Sequence, residues 1–431
     1  MNPLNLVLAL LLGVAAAALS YGFQAVINFS ENLRLEYPQL VLGLPILFLL
    51  TLLLKKKTLY YPYKVKDLNE MNGQKTFFWN RFKAFYHFLG ASLSHIFGAS
   101  VGREGVIVLT TTGVVRFFNL SLQYWGPVAA SIGFAAITGN KWVGIIFLIE
   151  MYTTQFAQKI WTFLGAWTAV LILESLKFPH LLAPVTVPDS ESYFKRFMFV
   201  LLLGVVIGYV ARFYKKSYFF MSDFFSKKNI TWGLAMALVL GYALYNPVLR
   251  PLQSLSLDVL EKFTSGSLIF EHDMQFILFK LVFTLFCVSL GFFGGEYVPL
   301  VVVGSGLGAV SAQFFGESLL FGATLGAFAV FAGVTRLKWT AIVLCTTLMG
   351  FSMYIWVYLF YSIVHSFSGD DSIYFDPQAN KSNFMNFQFR GFKAGPGGFG
   401  GFSGGFGAGF PGGPQSPKPT VNPDDKGYID Q

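Results

Sequence analysis

Glu104 stands between two glycines in the run Gly102-Arg103-Glu104-Gly105-Val106, directly ahead of the apolar stretch Val106-Ile107-Val108-Leu109. A carboxylate within an apolar segment is costly, which makes it a functional hypothesis by default. Glycines leave backbone N–H groups open to approach, and at a helix start those groups carry partial positive charge. Such a run can therefore bind an anion without a fixed cation. A glutamate beside that site can fill it as a tethered anion and leave on protonation, so one residue can both gate an anion and carry a proton. A plainer reading has equal weight from this stretch alone: a carboxylate held by the helix dipole, or a partner for Arg103. The run Gly294-Gly295-Glu296-Tyr297-Val298-Pro299 repeats the pattern, with its proline in a first helical turn, where a missing N–H costs nothing. Two such helix starts brought together would surround an anion with backbone donors.

The elements that position these runs are apolar. Of 431 residues, 54% are hydrophobic and only 12% charged, about half the charge of an ordinary soluble domain. Too few ionisable side chains are present to cover a globule of this size, so most of the surface faces lipid. The net charge of +9 comes from lysines scattered between apolar runs, not from a basic stripe with interleaved aromatics, and nucleic acid is not expected as a partner. Basic residues flanking membrane segments account for it. Residues Leu4 to Phe23 are long enough to cross a bilayer; with no Lys or Arg ahead of Arg34, they are expected to remain as a first helix and not a cleaved signal. Several later apolar stretches are short and interrupted by glycine. That pattern is tolerated in a membrane only where freed backbone groups are buried in protein or line a polar cavity, as in transporters with discontinuous helices.

The chain also repeats itself. Phe134 to Trp142 aligns without gaps to Phe331 to Trp339 with five identities in nine, and the two glycine runs precede these copies at similar distances. Two elements in one order, about 190–200 residues apart, point to a duplicated membrane unit. Gly304, Gly306 and Gly308 suit a close helix-packing face. Lys141 and Lys338, in the matched copies, are expected to snorkel or neutralise a carboxylate. Cys287 and Cys345 lie in apolar runs and read as buried small hydrophobes, and the five histidines show no metal-ligand spacing. No metal or cofactor is expected, and no nucleophile cluster suggests an enzyme. The residues 379–431, rich in Gly and Phe, cannot bury a core and are expected to form a disordered tail.

The order Gly102 to Val106, Gly294 to Pro299 and Ser372-Ile373-Tyr374 resembles the CLC family of chloride channels and proton-coupled anion antiporters, over about residues 40 to 378. The resemblance implies that Glu104 is the gate, that the backbone amides at Glu296 and Tyr297 line the anion site together with the Gly102, Arg103, Gly105 and Val106 run, and that Tyr374 donates its hydroxyl to the central anion. It also implies a homodimer with one pathway per subunit, each built of two inverted repeats. Four departures stand out. The family's first anion-site loop, usually rich in glycine and serine, is here Leu59-Tyr60-Tyr61-Pro62-Tyr63-Lys64; Val106 stands where chloride-type members have proline. Glu296 and Tyr297 replace a common Ile-Phe pair, and an acidic residue there resembles a bacterial subset that includes fluoride/proton antiporters. Met151, after Glu150, replaces the usual internal proton acceptor.

The expectation is an all-α polytopic membrane protein with a CLC-like inverted repeat and discontinuous helices. It comprises a transport domain over residues 1–378 (repeat one about 40–180, repeat two about 195–375) and the tail. It sits in the cell membrane as a multi-pass protein and moves chloride or another small inorganic anion, as a channel or with protons as the second substrate. A fluoride/proton antiporter is the nearest alternative, and a non-transporting relative the alternative from another class.

Overall fold

The computed structural model describes residues 3–57, 83–152, 154–179, 181–187, 192–227, 230–265 and 270–374. The expected serine-free loop at 59–64 and the tail at 379–431 lie outside the described residues. The described chain is helical, and its one β-type pairing is an isolated antiparallel bridge. The first half runs α1 (Pro3–Glu36), α2 (Leu44–Lys57), α3 (Lys83–Ile96), α4 (Glu104–Phe117), α5 (Leu122–Thr138), α6 (Lys141–Met151) and α7 (Phe156–Ser175). The second half runs α8 (Tyr193–Lys227), α9 (Ile230–Tyr245), α10 (Leu257–Ser265), α11 (Phe270–Ser289), α12 (Tyr297–Phe315), α13 (Leu319–Ala327), α14 (Ala329–Thr335), α15 (Lys338–Met349) and α16 (Tyr354–Phe367).

Among the described residues, five helices are long and apolar enough to cross a membrane: Pro3–Glu36, Phe156–Ser175, Tyr193–Phe225, His272–Ser289 and Tyr297–Phe315. Helix α8 shows how they are built. Phe199, Leu203, Ile207, Ala211, Tyr214 and Tyr218 recur at three- and four-residue steps and are buried, while Leu202, Val206, Tyr209, Phe213 and Phe220 on the opposite side are exposed. A helix that packs one stripe inward and shows aromatic and aliphatic side chains outward suits a lipid solvent, which imposes no penalty on the outer face.

The repeat is plain in three dimensions. α5 ends at Gly139 (φ 67°, ψ 21°) and α14 ends at Arg336 (φ 67°, ψ 18°), so both copies close on a left-handed residue before the next helix begins at Lys141 or Lys338. α1 packs on α7 and α5, as α8 packs on α16 and α14, which carries the first half back to the amino-terminal helix. α6 and α15 meet directly and cap each other. Asn140 accepts from the Trp142 and Val143 amides to start α6 and donates 2.7 Å to the Thr347 hydroxyl of α15. At the other end, the Glu150 carboxylate accepts from the Trp339 and Thr340 amides and the Thr340 hydroxyl, at 2.9, 2.8 and 2.7 Å. These ties run antiparallel, as an inverted repeat requires.

Small residues let the helices approach. A Cβ on Gly304 or Gly308 would fall within 2.2 Å of the Gly326 carbonyl or 1.9 Å of the Gly322 carbonyl, so α12 and α13 meet backbone to backbone. Gly306 instead accommodates Ile277 and Phe263. Cys287 and Cys345 are buried thiols. Lys141 Nζ lies 4.0 Å from the Trp167 ring centre and Lys338 Nζ 4.8 Å from that of Tyr358, so both repeat lysines rest on aromatic faces.

Candidate functional site

The two glycine runs meet at one point. The Gly102 amide donates to the Gly295 carbonyl, and the Gly295 amide donates back to the Gly102 carbonyl at 2.9 Å. Little room is left for side chains. A Cβ on Gly102 would stand 3.1 Å from both the Gly295 carbonyl and Glu104 Oε2, and one on Gly294, at φ +142°, would stand 2.6 Å from the Val101 side chain. The bridge sets two helix starts side by side. α4 begins at Glu104 after Arg103 (φ −95°, ψ −23°), and α12 begins at Tyr297 after Glu296 (φ −99°, ψ −5°). Gly105 lies close enough that its Cβ would be 3.3 Å from Gly295 Cα. The first N–H groups of each helix have no partner within it, and they belong here to one small region.

The bridge is antiparallel and pairs only Gly102 with Gly295; counted from their own starts, α4 opens on Glu104 after Arg103 and α12 on Tyr297 after Glu296, so the two glutamates do not hold equivalent positions. The first helix thus opens on a carboxylate and the second on a phenol.

Glu104 is 2% exposed. Its carboxylate faces the amides of Arg103 and of Glu104 itself, and Oε1 takes a 3.4 Å contact from Arg103 Nε. Oε2 is buried without a hydrogen-bond partner among the described residues. Arg103, also buried, donates to the Gln24 side-chain oxygen of α1 and lies over the Phe178 ring. The carboxylate is thus a partner for Arg103 and faces the amides at its own helix start. Val106 is fully buried within the first turn of α4.

The buried Tyr297 ring is held by aromatics from both repeats. Phe134 and Phe331, the matched first residues of the two repeat copies, meet it edge-on at 5.7 and 4.7 Å, and Phe328 lies at 6.2 Å. Phe331 also meets the Tyr374 ring at 6.0 Å. The 6%-exposed Tyr374 lies within electrostatic reach of Glu296, Glu104, Tyr297 and Tyr214. Glu104, Glu296 and Tyr297, three of the sequence-predicted site residues, thus lie within electrostatic reach of a fourth, Tyr374.

The segment that delivers Tyr374 is fastened in four places. Lys215 of α8 donates to the Gly369 and Asp371 carbonyls at 3.3 and 2.5 Å. Arg336 Nη1 donates to the His365 and Gly369 carbonyls, each at 2.8 Å. The Ser372 hydroxyl donates to the Thr335 carbonyl at 2.7 Å, and the Ile373 amide to the Val334 carbonyl at 3.3 Å. Sequence reasoning missed Lys215, Arg336 and Tyr214. The one available signal was Arg336, an arginine standing where the matched copy has Gly139; its guanidinium clamp offsets the left-handed backbone. Lys215 and Tyr214 gave none, because single polar residues in an apolar helix look alike whether they snorkel, pack or bind.

Two inverted halves of discontinuous helices, joined at a paired glycine bridge between two helix starts, define a multi-pass membrane protein of the transporter and channel class. Residues 65–368 match the family model described as voltage gated chloride channel. The chain belongs to that family, whose members are transporters and channels. It is 27% identical over 291 residues to the chloride/fluoride channel protein of Pseudomonas syringae pv. tomato, covering 61% of each chain. It is also 26% identical over 238 residues to the H(+)/Cl(−) exchange transporter ClcA of Cronobacter sakazakii, covering 50% of this chain and 49% of that one. The matches thus span roughly half to three fifths of these relatives' lengths. The fold is shared with a CLC-type fluoride/proton antiporter (TM-score 0.76, 24% identity, 86% of this chain and 97% of the other). A slow cyanobacterial Cl−/H+ antiporter has the same fold (TM-score 0.76, 17% identity, 91% and 100%).

Proposed function

We propose that the protein carries small inorganic anions across the membrane, chloride first among them, through one pathway in each subunit of a homodimer. The observation that carries this reading is the Gly102–Gly295 bridge, which juxtaposes the starts of α4 and α12 with Glu104 seated against backbone amides. Partial positive charge from oriented amides attracts an anion yet lets it go, which a site of fixed cations would not. In this reading the ionised Glu104 is a tethered anion that competes with the transported one, and protonation releases the site. Gly102, Arg103, Gly105, Val106, Glu296 and Tyr297 shape the donor ring, and Tyr374 adds a hydroxyl.

A second reading, fluoride/proton antiport, is favoured by Glu296. It is a second carboxylate 8% exposed and within electrostatic reach of Tyr374, while Met151 stands buried where the chloride-type antiporters carry an acid. Glu150, the neighbouring acid, is committed to the start of α15. Flux from liposomes loaded with chloride or fluoride, with and without a pH gradient, tests both. Chloride movement supports the first reading, fluoride movement driven by a proton gradient the second, and no movement of either contradicts both.

A further inference from the structure

We propose that Tyr214 is a second tyrosine of the central anion site, its hydroxyl donating to the same small inorganic anion as Tyr374. The assignment rests on the anion-transport reading above and adds to it a specificity-determining group from α8.

Tyr214 is fully buried, and its hydroxyl has no hydrogen-bond partner among the described residues. A buried hydroxyl left unpaired is costly, and phenylalanine would fill the same space without that cost, so packing does not account for the oxygen. Tyr152 shares the property but sits at the end of α6. Tyr214 differs in its surroundings. It lies within electrostatic reach of Glu296, at the start of α12, of Tyr374, and of Cys287 on α11.

The helix on which it sits is positioned for this. One turn earlier, Ala211 presses on α14, where a Cβ on Gly333 would come within 2.6 Å of its methyl group. The adjacent Lys215 grips the carbonyls of Gly369 and Asp371 that lead into Tyr374. Residues three apart share a helix face, so Ala211 and Tyr214 face the seam between α8, α14 and the Tyr374 segment. The two phenols, one on α8 and one beyond α16, thus lie within electrostatic reach of each other and of Glu296. A small anion stripped of water needs several donors to replace its hydration, and a second hydroxyl supplies one that the backbone amides of α4 and α12 do not.

The test is Tyr214→Phe in the full-length protein, with chloride and fluoride each titrated calorimetrically and thermal melting recorded on the same samples. For whichever anion the wild type binds, affinity is expected to fall about tenfold, which is about 1.4 kcal/mol, with the melting temperature unchanged or raised because an unpaired polar atom has been removed. Unchanged affinity would overturn the assignment, as would an affinity loss accompanied by a melting temperature several degrees lower, which would mark the hydroxyl as part of the fold. If the wild type binds neither anion, the transport reading fails and takes this assignment with it.

Discussion

Gly102 and Gly295, from opposite halves of the chain, each donate an amide N–H to the other's carbonyl, and a helix begins two residues beyond each of them. This paired bridge joins the two inverted halves and sets two helix starts side by side, so that neither half alone holds the anion site proposed above.

The residue beside the bridge has no room for a side chain. Gly294→Ala places a Cβ against Val101 on a backbone at φ +142°, a region that L-residues avoid at a cost on the order of 1–3 kcal/mol. A lower melting temperature together with lost anion binding is expected; wild-type values for both would show that the bridge relaxes without consequence.

Arg336 permits a cleaner separation of fold from site. Arg336→Gly matches the residue used in the other copy, Gly139, and relieves the left-handed backbone, but it removes the hydrogen bonds to the His365 and Gly369 carbonyls. Loss of order in the Tyr374 segment should weaken anion affinity more than it lowers the melting temperature. Hydrogen exchange over residues 368–374 reports the first effect directly; unchanged protection there would contradict it.

Much of this was legible in the sequence, and the parts that were not have physical causes. The matched copies at 134–142 and 331–339 disclosed the duplication because their Thr, Lys and Trp are uncommon letters in apolar helices, and the Gly304 and Gly308 packing face followed from residue size. The register of the site was not legible. Which residues of the two glycine runs pair is set by backbone hydrogen bonds between Gly102 and Gly295, which leave no trace in side-chain spacing. The clamp on Tyr374 was hidden for a similar reason: Lys215 and Arg336 bind carbonyls, which every residue possesses.

Tyr374→Phe removes one donor from the proposed site while preserving its ring contact with Phe331. Anion binding should weaken by about 0.5–1.5 kcal/mol, or up to about 3 kcal/mol where the bond is charge-assisted. Isothermal titration giving equal affinities for the two proteins would remove Tyr374 from the site.

Glu150→Gln tests the tie between halves. The carboxylate accepts from two amides and a hydroxyl at the start of α15, and its neutral amide keeps one acceptor and loses the charge. A stability loss of about 1 kcal/mol is expected from weakened capping, read as a lower melting temperature with anion affinity preserved. Loss of affinity at unchanged stability would place Glu150 in the pathway instead.

The central claim is that ionised Glu104 occupies the anion site. Chloride efflux from reconstituted liposomes, followed from neutral to acid pH for wild type and Glu104→Gln, tests it most directly. The wild type should speed up as pH falls and the carboxylate is protonated, while the variant should run near the acid rate at every pH. Identical rates and identical pH dependence in the two proteins would contradict the gating role.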